Sequence, residues 1–227
     1  MNWVLDNLDL IGRLTVDHLR QSVIAIVLSF VLAVPIGWLA FRYTRLRGAV
    51  LSIVGLLYTI PSLGLFVLLA AIFGIPLLSE LTLVVALTVY GIAIMTRSVT
   101  DGLASVDSAT RQAAVAVGFG AWRRFWVVDF PLAGPVLLAG LRVTAVSTIS
   151  LATVGILIGV DNLGYLFTNG AQRRIIPEVL AGVVAVVIIA VVLDLLLALL
   201  GRALMPWTRR TRAPRSPSPA SRREVAA

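Results

Sequence analysis

The chain has 227 residues, of which 59% are hydrophobic and only 13% are charged, whereas soluble domains have about 45–50% and about 25%. This composition excludes a typical water-soluble domain and predicts an integral membrane protein. The chain has no cysteine and one histidine, His18, which excludes thiol chemistry, disulfide bonds and a histidine or cysteine metal site. All 19 basic residues are arginines. A Walker A phosphate loop needs a lysine, so we expect no ATP hydrolysis by that route. No catalytic constellation is visible in the sequence.

Residues 1–21 are predicted to form an amphipathic helix that lies in the membrane interface. Leucine and isoleucine recur there at roughly helical spacing, with Asp6, Asp9 and Asp17 among them. The same aspartates argue against a cleaved secretory signal, which needs a long apolar core.

Residues 22–205 are predicted to form an all-α transmembrane domain with about five membrane-spanning helices. A bilayer core requires about 20 mostly apolar residues per helix. Five apolar stretches of the sequence have this length or come close to it. The predicted spans are residues 22–41, 50–73, 81–96, 132–159 and 179–201.

The arginines define the orientation of these spans, because cytoplasmic loops retain positive charge. Most of them fall on one side, in the first loop, the third loop and the C-terminal tail: Arg42, Arg45, Arg47, Arg97, Arg111, Arg123, Arg124, Arg202, Arg209, Arg210, Arg212, Arg215, Arg222 and Arg223. We therefore expect a multi-pass cell-membrane protein with its N-terminus outside and its C-terminus in the cytoplasm. Arg173 and Arg174 count against this orientation.

Residues 206–227 are rich in arginine, proline and serine and are predicted to be a disordered cytoplasmic tail. The basic run could be interpreted as nucleic-acid binding. We favour contact with anionic lipid at the inner membrane surface and expect no nucleic-acid partner.

The loop over residues 98–131 is far longer than the roughly 2–8 residues that usually join helices in bundles. Asp107 or Ser108 can cap a helix over residues 109–117, and Gly118 can end it with a positive φ. This loop is therefore predicted to be structured and to have a specific function.

A second short helix, over residues 121–128, is predicted to stop before Pro131. Large apolar side chains lie beside Arg123 and Arg124, a mixture that suits protein binding; they are Phe119, Trp122, Phe125 and Trp126.

The loop resembles the EAA loop of ATP-binding-cassette importer permeases. That family pattern is Glu-Ala-Ala, three residues, Gly, nine residues, Ile, one residue and Leu-Pro. This chain keeps the spacing with Gln112-Ala113-Ala114, Gly118, Val128, Phe130 and Pro131. Gln112 replaces the glutamate of the family and so removes one charge.

Further segments resemble the osmoprotectant branch of this family, which imports glycine betaine, carnitine, choline or related quaternary amines. They are residues 58–63, 102–107, 130–136, 139–142 and 159–164. Permeases for methionine share much of this pattern, so a methionine or other small-solute importer is the alternative.

The resemblance implies a type I importer permease fold and a division of labour among subunits. Two permeases, identical or paralogous, form the pathway in a bacterial cell membrane, and an extracytoplasmic binding protein delivers substrate. Two separate ATPases hold ATP and Mg, and this chain binds no cofactor. Each ATPase grips one loop helix, at residues 108–121. The implied docking residues are Arg111, Gln112, Ala113, Ala114, Gly118, Phe119, Arg123, Arg124 and Pro131.

From the residues alone, the loop could also be an amphipathic hairpin lying on the lipid surface. The arginines at its margins, Arg111, Arg123 and Arg124, can pair with carboxylates of a partner. A secondary transporter driven by an ion gradient is a further alternative, but it would need several intramembrane acids or inverted repeats.

Polar residues inside the predicted spans have two interpretations. Thr144, Ser147 and Thr148 share one helical arc, so they could line a translocation path or serve helix packing. Thr59 and Ser62 flank Pro61, where a freed carbonyl could face a cavity or the helix could simply kink.

Arg142 and Asp194 are the two charges within the predicted spans. Such charges are costly in a membrane and normally find partners. We predict that they form an ion pair that ties the fourth span to the fifth. The alternatives for Arg142 are snorkelling towards the cytoplasm or contact with the second permease.

Overall fold

A computed structural model describes residues 2–207 of the chain, which form helices and no strands over that range. The elements, in chain order, are α1 (Asn2–Asp6), α2 (Leu8–Arg42), α3 (Thr44–Thr59), α4 (Ser62–Phe73), α5 (Glu80–Ala104), α6 (Ser108–Ala116), α7 (Ala121–Arg124), a π-helical segment (Phe125–Asp129), α8 (Phe130–Ala152), a 3-10 segment (Thr153–Ile158), α9 (Gly164–Arg173) and α10 (Ile176–Leu204). Nearly all of the predicted tail, from residue 208 on, lies outside the described residues.

Among the described residues, four helical stretches are long and apolar enough to cross a membrane. They are α2, α5, the stretch Ala121–Ile158 and α10. The broken pair α3 and α4 can supply a fifth crossing, so the expected all-α fold with about five spans is confirmed.

The second predicted span, residues 50–73, is not a single helix. It breaks at Pro61 into α3 and α4, whose axes differ by 110°. Proline offers no N–H to the helix, and it disfavours helical backbone in the residue before it. Ile60 accordingly has an extended backbone, with ψ 127°. The break is much sharper than the kink that Pro61 alone led us to consider.

Helix α2 runs through the predicted boundary at residue 21 without interruption. Residues 8–21 of the predicted N-terminal segment are therefore the first part of a 35-residue helix, because no helix-breaking residue lies near that boundary. At about 1.5 Å per residue, α2 is about 50 Å long and exceeds the roughly 30 Å of a bilayer core. One end of α2 must project beyond the hydrocarbon.

Helix α5 lies at the centre of the fold and packs against α2, α3, α4 and α8. It continues to Ala104, eight residues beyond the predicted end at Thr96, so Arg97 lies inside a helix and not in a loop. The close contact with α2 depends on small residues, since a Cβ atom on Gly37 would lie 2.6 Å from Cβ of Val99. Small residues allow two helices to approach in this way.

The sequence predicted that the second loop helix stops before Pro131, but in the structure the helix continues through this residue. Helix α7, the π-helical segment and α8 form one continuous stretch, in which the N–H of Phe130 donates to the carbonyl of Phe125. Pro131 lies inside this stretch, two residues after the end of the π-helical segment, and π-helical turns of this kind occur as single-turn bulges inside α-helices. The loop over residues 98–131 is thereby joined directly to a membrane helix.

Candidate functional site

Helix α6 is capped at both ends by residues that directly flank it. Asp107 caps its N-terminus, with Oδ1 accepting from the N–H of Ala109 at 3.1 Å. Gly118 has φ +88° and donates to the carbonyl of Val115 at 3.0 Å, while Phe119 donates to that of Ala114 at 3.0 Å. This pair of bonds is a Schellman motif. The predicted capping residues are confirmed, and α6 is a defined short helix.

One face of α6 points into the chain and the other is exposed. Ala114 is buried, whereas Gln112 and Ala113 are exposed. Val115 and Val117 are also exposed, at 53% and 73%. Of the Ala113–Ala114 pair that the resemblance assigns to docking, only Ala113 is therefore available to a partner. The exposed face is uncharged and mostly small, which suits insertion into a groove.

Asp129 forms two ion pairs inside the loop over residues 98–131. Its buried carboxylate accepts from Nε of Arg111 at 2.8 Å and from Nε of Arg124 at 3.2 Å. Arg111 also donates to the carbonyl of Leu103 and lies 4.7 Å from the ring centroid of Phe41. The guanidinium groups of Arg111 and Arg124 are thus engaged within the chain, although the sequence assigned both to partner carboxylates.

The cluster of Asp129, Arg111 and Arg124 connects four parts of the fold. Arg111 lies on α6, Arg124 ends α7, Asp129 lies in the π-helical segment, and Leu103 is near the end of α5. Asp129 was missed in the sequence, although it is the only acid between Asp107 and Pro131. A lone acid among several arginines was the available signal.

The third loop arginine, Arg123, is exposed at the surface. Its guanidinium carbon lies 4.7 Å from the ring centroid of Phe119, within the range of a cation–π interaction. Trp122 and Trp126 are 65% and 46% exposed beside it, while Pro131 is half-buried. Arg123 and the tryptophans extend the exposed surface of α6.

Arg142 and Asp194 lie in contact across α8 and α10. Nε and Nη2 of Arg142 donate to the two carboxylate oxygens of Asp194 at 2.6 and 2.5 Å. This is the two-pronged geometry that makes arginine–carboxylate pairs strong. It satisfies both charges within one chain.

The polar residues of the predicted path lie in two different places. Thr144 and Thr148 are buried within the helix bundle, and the hydroxyl of Thr144 donates to the carbonyl of Gly140 at 2.9 Å. That burial favours the packing interpretation for these two, while Ser147 is half-buried.

Thr59, Pro61 and Ser62 lie at the break between α3 and α4. The hydroxyl of Thr59 donates to the carbonyl of Leu56 at 2.7 Å. Thr59 and Pro61 are exposed in the single chain, and Ser62 is half-buried.

A groove of about 390 Å³ runs between α3 and α5. Tyr58, Arg97 and Ser98 supply its polar atoms, and the other lining residues are Leu51, Val54, Gly55, Ala93 and Ile94. Arg97 also borders a wider opening beside Gly48 and Ser52. The groove was not predicted from the sequence, because Arg97 was expected in a loop.

No group of three or more His, Cys, Asp or Glu side chains within residues 2–207 is placed to hold a metal ion. The arrangement instead combines a rigid exposed helix, an internal ion cluster joined to a membrane helix, and an open polar groove. These are features of a helical membrane protein with a structured segment outside its spans.

Comparison with known proteins defines this class. Residues 19–210 match the family described as binding-protein-dependent transport system inner membrane component. The chain belongs to this family and is a multi-pass inner-membrane transport permease subunit.

Two curated relatives and one solved structure are similar over most of their length. The osmoprotectant import permease protein OsmW of Salmonella typhimurium is 33% identical over 211 residues, covering 91% of this chain and 97% of that protein. The glycine betaine/carnitine/choline transport system permease protein OpuCB of Bacillus subtilis is 31% identical, with 85% and 87% covered. A chain of the MetNI methionine ABC transporter superposes with a TM-score of 0.80 at 21% identity, covering 88% of this chain and 98% of that one. The last similarity establishes the type I importer permease fold.

Proposed function

We propose that this chain is the transmembrane permease subunit of an ATP-driven importer for a quaternary-ammonium osmoprotectant, such as glycine betaine, carnitine or choline. The main structural support is α6, a capped helix that exposes an uncharged face and keeps the spacing of the EAA motif. The substrate class is supported by relatives named for osmoprotectant, glycine betaine, carnitine and choline transport. The methionine transporter shares the fold at 21% identity, which makes methionine the weaker candidate.

In this proposal, the chain supplies the pathway and a separate pair of ATPases supplies the energy. Each ATPase binds ATP and Mg and grips α6 of one permease, so this chain has no catalytic role. The second permease is identical or paralogous, and an extracytoplasmic binding protein delivers the substrate. The loop lies in the cytoplasm with the C-terminus, and the N-terminus lies outside.

The ion cluster suggests how motion passes from the ATPase to the membrane. Asp129 directly precedes α8 and is held by both Arg111 and Arg124. A displacement of α6 therefore acts on α8 through a buried, charged contact and not only through the flexible backbone. The proposed docking surface is Gln112, Ala113, Val115, Gly118, Phe119 and Arg123, with Ala114, Arg111, Arg124 and Pro131 supporting it from behind.

The docking proposal is tested by Ala113→Arg, with Ala171→Arg as the matched control. Both alanines are exposed on short helices, α6 and α9, so neither change disturbs the core. We expect Ala113→Arg to reduce co-purification of the cognate ATPase at least tenfold and to abolish ATP-driven glycine betaine uptake in vesicles. Ala171→Arg should retain the ATPase.

Normal recovery of the ATPase with Ala113→Arg would contradict docking at α6. Uptake by the wild-type system that follows an ion gradient without ATP would overturn the importer proposal itself and favour a secondary transporter.

A further inference from the structure

Arg97 carries a charge that no other residue within 2–207 neutralises. It forms no hydrogen bond or ion pair within the described residues, whereas five other arginines there have carboxylate partners: Arg20, Arg47, Arg111, Arg124 and Arg142. Arg97 lies seven residues before the end of α5, about 10 Å along the helix. An ionisable group on a helix long enough to span the membrane indicates function.

The acids on the same helix do not serve as that partner. Asp101 lies one turn further along α5 and accepts from Arg47 at 3.4 Å. Glu80 lies at the opposite end of α5 and accepts from Arg20 at 2.8 Å. The guanidinium of Arg97 instead borders the groove between α3 and α5.

An aromatic ring, that of Tyr58, also lines this groove. Tyr58 is 49% exposed and meets Tyr90 edge to face, with ring centroids 5.9 Å apart. Tyr90 is itself fixed, because its hydroxyl donates to the carbonyl of Ile60 at 2.5 Å. Tyr58 therefore presents a positioned ring, and such rings attract quaternary ammonium groups by cation–π interaction.

The two groups are spaced for a ligand with two ends. Because Tyr58 contacts Tyr90, the position of Tyr90 on α5 gives the approximate height of Tyr58. Tyr90 and Arg97 are seven residues apart on α5, which corresponds to about 10 Å along the helix axis. The groove volume of about 390 Å³ lies within the roughly 300–1,000 Å³ of small-molecule sites. Gly55 and Ala93 line the space between them and leave it open.

We propose that this groove is a subsite for a zwitterionic trimethylammonium carboxylate, with the carboxylate on Arg97 and the ammonium group on Tyr58. The inference rests on the proposed function and adds a selectivity to it. Glycine betaine and carnitine have both ends, whereas choline has no carboxylate and its net positive charge is repelled by Arg97. The permease itself therefore favours the carboxylate-bearing substrates.

The test measures ligand binding to the purified permease–ATPase complex by saturation-transfer NMR, without the binding protein. The probes are glycine betaine, carnitine and choline, observed through their methyl protons. We expect Arg97→Gln to weaken the glycine betaine and carnitine signals at least fivefold while leaving choline unchanged or stronger. Arg97→Lys should restore part of the loss, and Arg45→Gln, an exposed arginine on α3, should behave as wild type.

The aromatic end is tested separately. Tyr58→Leu should weaken the signals of all three ligands, whereas Tyr58→Phe should retain them because the ring and not the hydroxyl is needed. Each variant is first shown to co-purify with the ATPase, so that a misfolded complex is not mistaken for a loss of binding.

Equal loss of all three ligands in Arg97→Gln, or no loss at all, would overturn the inference. So would the absence of glycine betaine and carnitine signals from the wild-type complex. In either case ATP-driven uptake by the complete system would leave the proposed function standing, and only failure of that uptake would refute it.

Discussion

The buried carboxylate of Asp129 pairs with two arginines of the loop over residues 98–131, Arg111 and Arg124. Replacing it by asparagine removes the negative charge between the guanidinium groups of Arg111 and Arg124 and leaves one acceptor oxygen where there were two. Loss of one partner from a buried ion pair costs about 3–5 kcal/mol. We expect Asp129→Asn to lower the Tm of the purified protein and to weaken the stimulation of the ATPase by the substrate-loaded binding protein.

Asp101→Asn is the matched control for this prediction. Asp101 also accepts from an arginine, Arg47, but its side chain is 53% exposed, and exposed pairs contribute at most about 1 kcal/mol. Similar Tm values for the two variants would show that the Asp129 cluster does not stabilise the loop.

Some residue contacts could be predicted from the sequence, and others could not. Arg142 and Asp194 were the only charges in the predicted spans, so each was the other's obvious partner. The partners of Asp129 depend on how α6 folds back over the π-helical segment, which no local pattern encodes. Likewise, Arg97 could not be assigned to a groove until α5 was known to pass beyond Thr96.

At the scale of elements, the contact between α2 and α5 is set by the absence of a side chain at Gly37. A Cβ atom there would lie 2.6 Å from Cβ of Val99 and 3.0 Å from the carbonyl oxygen of Thr96. Forcing extra atoms into a packed contact costs about 1–3 kcal/mol. We therefore expect Gly37→Ala to lower the Tm of the purified protein.

Gly12 lies on the same helix, but a Cβ atom added there would have no neighbour within 4 Å. Since glycine in a helix is less stable than alanine by about 0.5–1 kcal/mol, Gly12→Ala should raise the Tm or leave it unchanged. A fall in Tm of the same size in both variants would show that the α2–α5 contact does not determine the result.

Elements with local signals were predicted well, and those that depend on distant contacts were not. Asp107 and Gly118 specify the ends of α6 through bonds within a few residues. Pro61 signalled an interruption, but whether it was a kink or a 110° break depends on how α4 packs against α5. The π-helical turn at Phe125–Asp129, just before Pro131, gave no recognisable pattern.

For the whole molecule, the proposed transport function requires α6 and α9 to lie on opposite sides of the membrane. The chain has no cysteine, so single cysteines can be introduced at exposed sites, as Ala109→Cys on α6 and Ala171→Cys on α9. A membrane-impermeant maleimide should label Ala171→Cys in intact cells, and Ala109→Cys only after permeabilisation. Labelling of Ala109→Cys in intact cells would place α6 outside, where no ATPase could reach it. The docking surface, the proposed role of the ion cluster in passing motion to α8, and the ATP-driven mechanism would then all lose their basis, because each requires a partner that binds ATP on the inner face.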